Sequence, residues 1–299
     1  MSLLDDLLAS LDVEVHTFSV CKVESGRALG VDADPVPVIH YGLKGSGIAR
    51  FPDGVRITIE PHDFALVPPN QRHQIDMGGE DLGVVPATEN CLVLADGLLE
   101  LRAGTEPDLI MVCGKIEATY AGTLGLFDRL DHPISVRLRR SDPLREAFEA
   151  MLDELASPTL GTRALADALL KQCLILLVRR LARGEHEPAW LAGLVDSRLA
   201  GVVAAILENP AGDHTLRSLA ERAGMSRSGF ALRFGVAFGT TPMEFVKRIR
   251  LRYAARLLRT SDLPVATIAN RVGYASRTHF SRAFRAAYGS DPQSFRAGR

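Results

Sequence analysis

Arg277, Thr278, Ser281, Arg282 and Arg285 fall within nine residues near the end of a 299-residue chain. At about 100° per residue, Thr278, Ser281, Arg282 and Arg285 share one face of a helix. Phe280, Ala283, Phe284 and Ala287 share the opposite face. A guanidinium is a planar fork of donors that fits carboxylates, phosphates and the O6/N7 edge of guanine. Arg282 can make that bidentate contact. Arg277, at the helix start, can reach a base or a phosphate, and Thr278 can meet a base edge or a thymine methyl. These groups suit recognition rather than bond making. No paired carboxylates, nucleophile motif or phosphate-cradling glycine loop occurs elsewhere in the sequence.

The stretch "SRTHFSRAFRAAYGSDPQSF" (276–295) is a second copy of "SRSGFALRFGVAFGTTPMEF" (226–245), fifty residues earlier. Phe230, Phe234, Phe238, Gly239, Pro242 and Phe245 recur as Phe280, Phe284, Tyr288, Gly289, Pro292 and Phe295. The shared positions are those that fill a small core or break a helix. The free face of the first copy is Ser228, Ala231, Leu232 and Gly235, and Leu232 stands where the second copy has Arg282. Three readings follow for the first copy. It reads weakly, it reads an A·T-rich patch through thymine methyls, or Arg227 and Arg233 compensate, although Arg233 lies towards the buried side by periodicity.

The elements that must position these faces are short helices joined by tight turns. In "TLRSLAERAGMSRSGF", Thr215 caps one helix, Gly224 ends it and Ser226 caps the next. "PVATIANRVGYASRTHF" repeats the pattern with Pro264, Gly273 and Ser276, and its turn is one residue longer. Between the copies, "TPMEFVKRIRLRYAARLLRT" opens with a Thr241/Glu244 capping box and Pro242 at the first helical position. A helix from there to Arg259 is roughly 27 Å long. Such a rod can set two reading helices about one DNA turn apart, roughly 34 Å. Its Lys247, Arg248, Arg250, Arg252, Arg256 and Arg259 are expected in solvent or on phosphates.

Net charge is −1, but it is unevenly spread. Residues 196–299 hold 17 Lys+Arg against 7 Asp+Glu, a net of +10, and the remainder holds 18 against 29, a net of −11. That asymmetry points to a C-terminal half that meets a polyanion.

The motifs "PVATIANRVGY", "SRTHFSRAFR" and "GSDPQSFR" resemble the signature of the AraC/XylS family of bacterial transcription regulators. The resemblance covers residues 196–299. It implies two helix-turn-helix units on one connecting helix, double-stranded DNA as partner, and RNA polymerase as a further partner if the chain is an activator. Family base-reading positions match Arg277, Thr278 and Arg282. The family often has arginine where Leu232 stands.

Upstream the texture differs. "LLDDLLASLD" (3–12) reads as a short amphipathic helix. "VHTFSVCKV", "VPVIHYGL", "VRITIEP", "FALVPP" and "LIMVCGKI" read as strands of a small β-sandwich or barrel. "SDPLREAFEAMLDELA" and "TRALADALLKQCLILLVRRLARG" read as two helices. The apolar face of the second includes Leu165, Leu169, Cys173, Leu176 and Leu177, and it is broad enough for core packing or a homodimer contact. "GEHEPAWLAG" reads as a linker.

This half resembles the cupin-type sensor domain that many such regulators carry. In "HDFALVPPNQRHQIDM", Pro68 and His73 match a cupin motif, while His62, Asn70 and Met77 replace two glycines and an asparagine. Of the other motif only His40 remains, with Gly42 where a second histidine belongs. Two ligands are too few for a catalytic metal. No metal or cofactor is therefore expected, and His40, Tyr41, Arg50 and His73 are candidates to line an effector pocket.

The expected fold class is α+β. Its parts are a cupin-like sensor at 1–140, a helical hairpin for dimerisation at 141–184, a linker at 185–195, and an all-α double helix-turn-helix domain at 196–299. The expected function is a DNA-binding transcription regulator answering to a small molecule, and not an enzyme. A cupin metalloenzyme with an appended DNA-binding domain is the alternative. Cys21, Cys91, Cys113 and Cys173 lie far apart in sequence, which argues against a zinc ribbon and fits a reducing cytoplasm. No secretion leader or membrane-spanning run is read.

Overall fold

The computed structural model describes residues 8–9, 11–79, 83–95, 98–120, 124–127, 130–183, 191 and 196–297. Two compact units divide the chain: one within residues 13–118 and 127–180, the other holding the C-terminal helices from 181 onward.

The first unit is built on two mixed sheets. Strands β1 (Leu11–Val23), β3 (Val38–Lys44), β6 (Asp63–Val67), β9 (Cys91–Ala95), β10 (Leu98–Ala103), β11 (Leu109–Tyr120) and β13 (Ile134–Arg137) run in the order β13-β6-β3-β11-β1-β10-β9. The short β12 (Leu124–Gly125) pairs with β11. The second sheet is β5 (Arg56–Ile59), β4 (Gly47–Arg50), β7 (His73–Asp76), β2 (Arg27–Val31) and β8 (Gly83–Pro86), in that order. Most pairs are antiparallel, but β1 with β10 and β2 with β8 are parallel.

Cys21, Val23, Val38, Ala65, Leu109 and Met111 of the first sheet meet Leu29, Ala49, Ile57, Ile59 and Ile75 of the second in one apolar core. Among the described residues no pairing closes the sheets into a barrel, so the fold is a sandwich. The five apolar runs of the sequence fall on β1, β3, β5, β6 and β11. At the N-terminus, Leu11 and Asp12 open β1 instead of ending a helix, while residues 3–7 and 10 lie outside the described set.

The cysteine expectation needs correcting. Cys21 and Cys113, 92 residues apart in sequence, form a disulfide, because β1 and β11 are neighbours in the sheet. Cys91 and Cys173 are free.

Helices α1 (Pro143–Ala156) and α2 (Thr162–Leu181) belong to this unit. Asp142 caps α1 by accepting from the Leu144 N–H at 3.0 Å. The Phe148 ring of α1 sits against Phe18, Tyr41 and Phe64, with centroids 6.5, 4.8 and 5.4 Å away. Burying three aromatic faces on one ring anchors α1 to the first sheet. On α2, Ala166, Leu170, Cys173, Leu174, Leu177 and Val178 are buried, while Leu165, Leu169 and Leu176 are left exposed or half-buried.

The C-terminal unit is helical: α3 (Ser197–Glu208), α4 (Leu216–Arg222), α5 (Arg227–Phe238), α6 (Pro242–Thr260), α7 (Val265–Arg271), α8 (Arg277–Tyr288) and α9 (Pro292–Ala297). The sequence repeat is a structural repeat. Phe230–Phe234, Phe234–Phe238 and Phe234–Phe245 have centroid distances of 5.5, 4.5 and 5.3 Å. Their counterparts Phe280–Phe284, Phe284–Tyr288 and Phe284–Phe295 lie at 5.6, 4.6 and 5.2 Å. The rod between the copies is the 19-residue α6. The Thr241 hydroxyl caps it by accepting from the Glu244 N–H, but the Glu244 carboxylate accepts from Lys247 instead, so only half of the expected box forms. The full box is at Thr215 and Ser218 instead. Of the expected linker at 185–195, only Leu191 lies among the described residues.

Candidate nucleic-acid interface and effector cavity

The α8 face is built by its cap and its core. The Ser276 hydroxyl accepts from the His279 N–H at 3.3 Å, which fixes where the helix begins. Phe280 and Phe284, both fully buried, fix its rotation. Arg277, Thr278, Arg282 and Arg285 are then exposed and Ser281 half-buried, as the periodicity requires. Arg285 lies 3.5 Å from the Asp291 carboxylate. Among the described residues no ion pair engages Arg277 or Arg282, so both forks are open to a partner.

The α5 face is held the same way, with Ser226 accepting from the Gly229 N–H at 3.2 Å and Phe230 and Phe234 fully buried. Arg227, Ser228 and Leu232 are exposed, and Ala231 is half-buried. Sequence reasoning passed over Val236, which is 69% exposed one turn beyond Leu232. Its spacing of four from Leu232 was the available signal. Arg233 reaches the Asp196 carboxylate at 2.9 Å, so it is drawn away from the reading face.

On α6 one expectation fails. Arg250 is not a solvent or phosphate cation. Its guanidinium donates to the carbonyls of Pro210 at 2.8 Å, Gly212 at 2.8 Å and Gly273 at 3.1 Å. Arg256 and Arg259 lie over the rings of Tyr253 and Phe295, at 5.1 and 5.3 Å.

In the first unit, Gly30, Val31, Arg50, Phe51, Arg72 and His73 are among the residues around a cavity of about 420 Å³. The structure brings Arg50 and His73 to this cavity and sets His40 and Tyr41 elsewhere. His40 is fully buried behind His73, with Nε2 to Nε2 at 2.8 Å and its Nδ1 3.2 Å from the Cys113 sulfur. Tyr41 follows His40 in β3, and successive strand residues point to opposite faces. It therefore turns to α1, where its hydroxyl donates to Glu149 at 2.9 Å. Arg50 is tied to the buried Asp76 by two bonds, at 2.6 and 3.1 Å.

Burial holds both histidines neutral. It drives the His40 pKa well below the usual value, helped by His73, and lowers that of His73 to about 4. Among the described residues no three His, Cys, Asp or Glu side chains are grouped to hold a metal. The second histidine missing from the cupin motif has a steric cause. A Cβ at Gly42 would lie 2.2 Å from the Glu60 carbonyl oxygen, so no side chain fits there. The two replaced glycines are legible too, since His62 and Asn70 take positive φ, 68° and 62°. No helix among the described residues is long and apolar enough to cross a membrane.

Residues 2–183 match the Cupin family, and residues 219–298 match the helix-turn-helix domain family. The chain is 34% identical to a putative AraC-like transcription regulator of Streptomyces antibioticus, over 99% of this chain and 98% of that one. It is 30% identical to the RCS-specific HTH-type transcriptional activator of Escherichia coli (strain K12), over 92% of this chain and 90% of that one. The DNA-binding domain of AdpA, solved in complex with a target DNA, is 38% identical over 33% of this chain and 89% of that chain, with a TM-score of 0.33. With a cupin half and a helix-turn-helix half, and with such relatives along its whole length, the chain belongs to the AraC-like family of transcription regulators.

Proposed function

We propose that the chain reads double-stranded DNA with α5 and α8, and that a small molecule in the cupin half modulates this. The DNA-contacting residues are Arg227, Ser228, Ala231 and Leu232 in the first unit and Arg277, Thr278, Ser281, Arg282 and Arg285 in the second. The observation that carries the reading is the pairing of two exposed faces on two matching aromatic cores, in a region of net charge +10. Labour divides into a sensor at 1–140, a dimerising hairpin at 141–184 and a DNA-binding half at 196–299. The effector site is the cavity bordered by Arg50 and His73, where Arg72 and Gln74 supply further polar groups and Phe51 an apolar wall. The cupin half senses rather than catalyses, a reading supported by the steric block at Gly42. The chain acts in the cytoplasm, and RNA polymerase is its partner if it activates.

The test is selection of bound fragments from a genomic DNA pool by the full chain, with and without candidate metabolites. Enrichment of a shared sequence that a metabolite strengthens or weakens is the expected result. Enrichment that no metabolite alters removes the effector role, and no enrichment removes the DNA reading.

A further inference from the structure

We propose that the first helix-turn-helix unit reads thymine methyl groups in the major groove through an aliphatic pair, Leu232 and Val236. The proposal rests on the DNA-binding reading above and names the base chemistry that α5 takes.

Three observations converge on it. Leu232 and Val236 are 73% and 69% exposed, one helical turn apart, on the face that also presents Ser228 and Ala231. Neighbouring large aliphatics left in water mark a surface that meets something apolar. In the major groove of DNA that group is the C5-methyl of thymine. Second, the arginine beside the pair is taken out of play. Arg233 is held 2.9 Å from Asp196, whose carboxylate also caps α3. Arg227 lies about 140° round the helix from Leu232, a position suited to a phosphate. No guanidinium therefore competes for the base edges beneath Leu232 and Val236. Third, Gly235 lies between them in the helix interior, where glycine costs about 1 kcal/mol relative to alanine. A Cβ there would meet nothing within 4 Å, so packing within the chain does not require the glycine. A bare backbone at that point allows the helix to approach a partner closely.

Charge identifies that partner as DNA rather than another protein's apolar surface. The pair stands in a region carrying 17 Lys+Arg against 7 Asp+Glu. The equivalent positions of the second unit, Arg282 and Ala286, divide the task differently, since α8 offers a guanidinium where α5 offers a methyl contact.

The experiment uses the full chain and a preferred site enriched from a DNA pool. The two half-sites are told apart by Arg282→Ala, which relaxes base choice in the half under α8. Each thymine in the other half is then replaced singly by deoxyuridine, which lacks only the methyl. Affinity is measured at fixed salt for the wild type and for the Leu232→Ala/Val236→Ala variant. Both positions are exposed, and a thermal melt confirms that the variant is folded.

The expected result is one or two thymines whose replacement weakens wild-type binding about fourfold each, the ratio that one buried methyl makes. In the variant the same replacement has no effect. Neutral deoxyuridine at every position, or a penalty that persists unchanged in the variant, overturns the proposal while leaving DNA binding intact. A variant that binds DNA normally but no longer regulates transcription also overturns it and assigns the pair to a protein partner. If the wild type enriches no site, the DNA reading itself fails and the proposal with it.

Discussion

Position 282 and position 232 are the same place in two copies of one motif, yet one holds an arginine and the other a leucine. Arg282 is exposed and unpaired among the described residues, so its fork is free for guanine. Arg282→Ala is expected to cost about 1–3 kcal/mol at the preferred site and to relax one or two base pairs. Leu232→Ala costs less, because it loses one apolar contact. Binding of both variants to single-base variants of the site decides this, and greater loss of discrimination in Leu232→Ala reverses the assignment.

A second prediction belongs to His73. Its folded pKa of about 4 lies below the ordinary 6.5, so the unfolded state takes up a proton first as the pH falls. The stability is fully present above pH 6.5 and is lost on acidification from about 6.5 towards 4. By pH 5 the loss from this one group is about 2 kcal/mol. Urea unfolding at pH 7.5 and pH 5 measures it, and a flat profile contradicts the burial argument.

At this scale the sequence showed the exposed face of α8 and the departure at Leu232 clearly, because helical periodicity decides both. It misplaced Tyr41, because listing neighbouring strand residues for one pocket ignores the alternation of faces. It missed Asp196 as the partner of Arg233, since that pairing joins different helices.

At the scale of elements, the double motif was legible down to its aromatic spacing, because the ring contacts of each core join residues within eleven positions of each other. The rod α6 was legible as well, but the duty of Arg250 was not. That residue reaches the loop before α4 and the turn after α7 together, so it fixes one helix-turn-helix unit against the other. Arg250→Gln should cost about 2 kcal/mol of stability and weaken binding to a complete site more than to a half-site. Equal losses on both sites would mean that the residue only stabilises the fold. The sandwich was less readable. Apolar runs gave β1, β3, β5, β6 and β11, whereas β4 (GIAR) opens on a glycine and β7 (HQID) holds a single apolar residue, so neither stands out. The meeting of Cys21 and Cys113 depends on strand order, which no local pattern records.

At the scale of the molecule, two features suggest how the parts are used. One is the leftover apolar edge of α2. With Cys173 and Leu177 committed to the core, Leu165, Leu169 and Leu176 are left outside it, where the proposed dimer would use them. Leu169→Glu with Leu176→Glu should yield a folded monomer by light scattering where the wild type is a dimer. An unchanged mass shows that this edge is core.

The other feature is the separation of charge, +10 in residues 196–299 against −11 in the rest. It bears on the central claim, that the C-terminal half grips a polyanion through two reading faces. The most direct test is the affinity of the full chain for its enriched site as salt rises from about 50 to about 200 mM. Release of counterions from several phosphates should lower affinity by about a thousandfold or more, and an affinity unchanged over that range would contradict the claim.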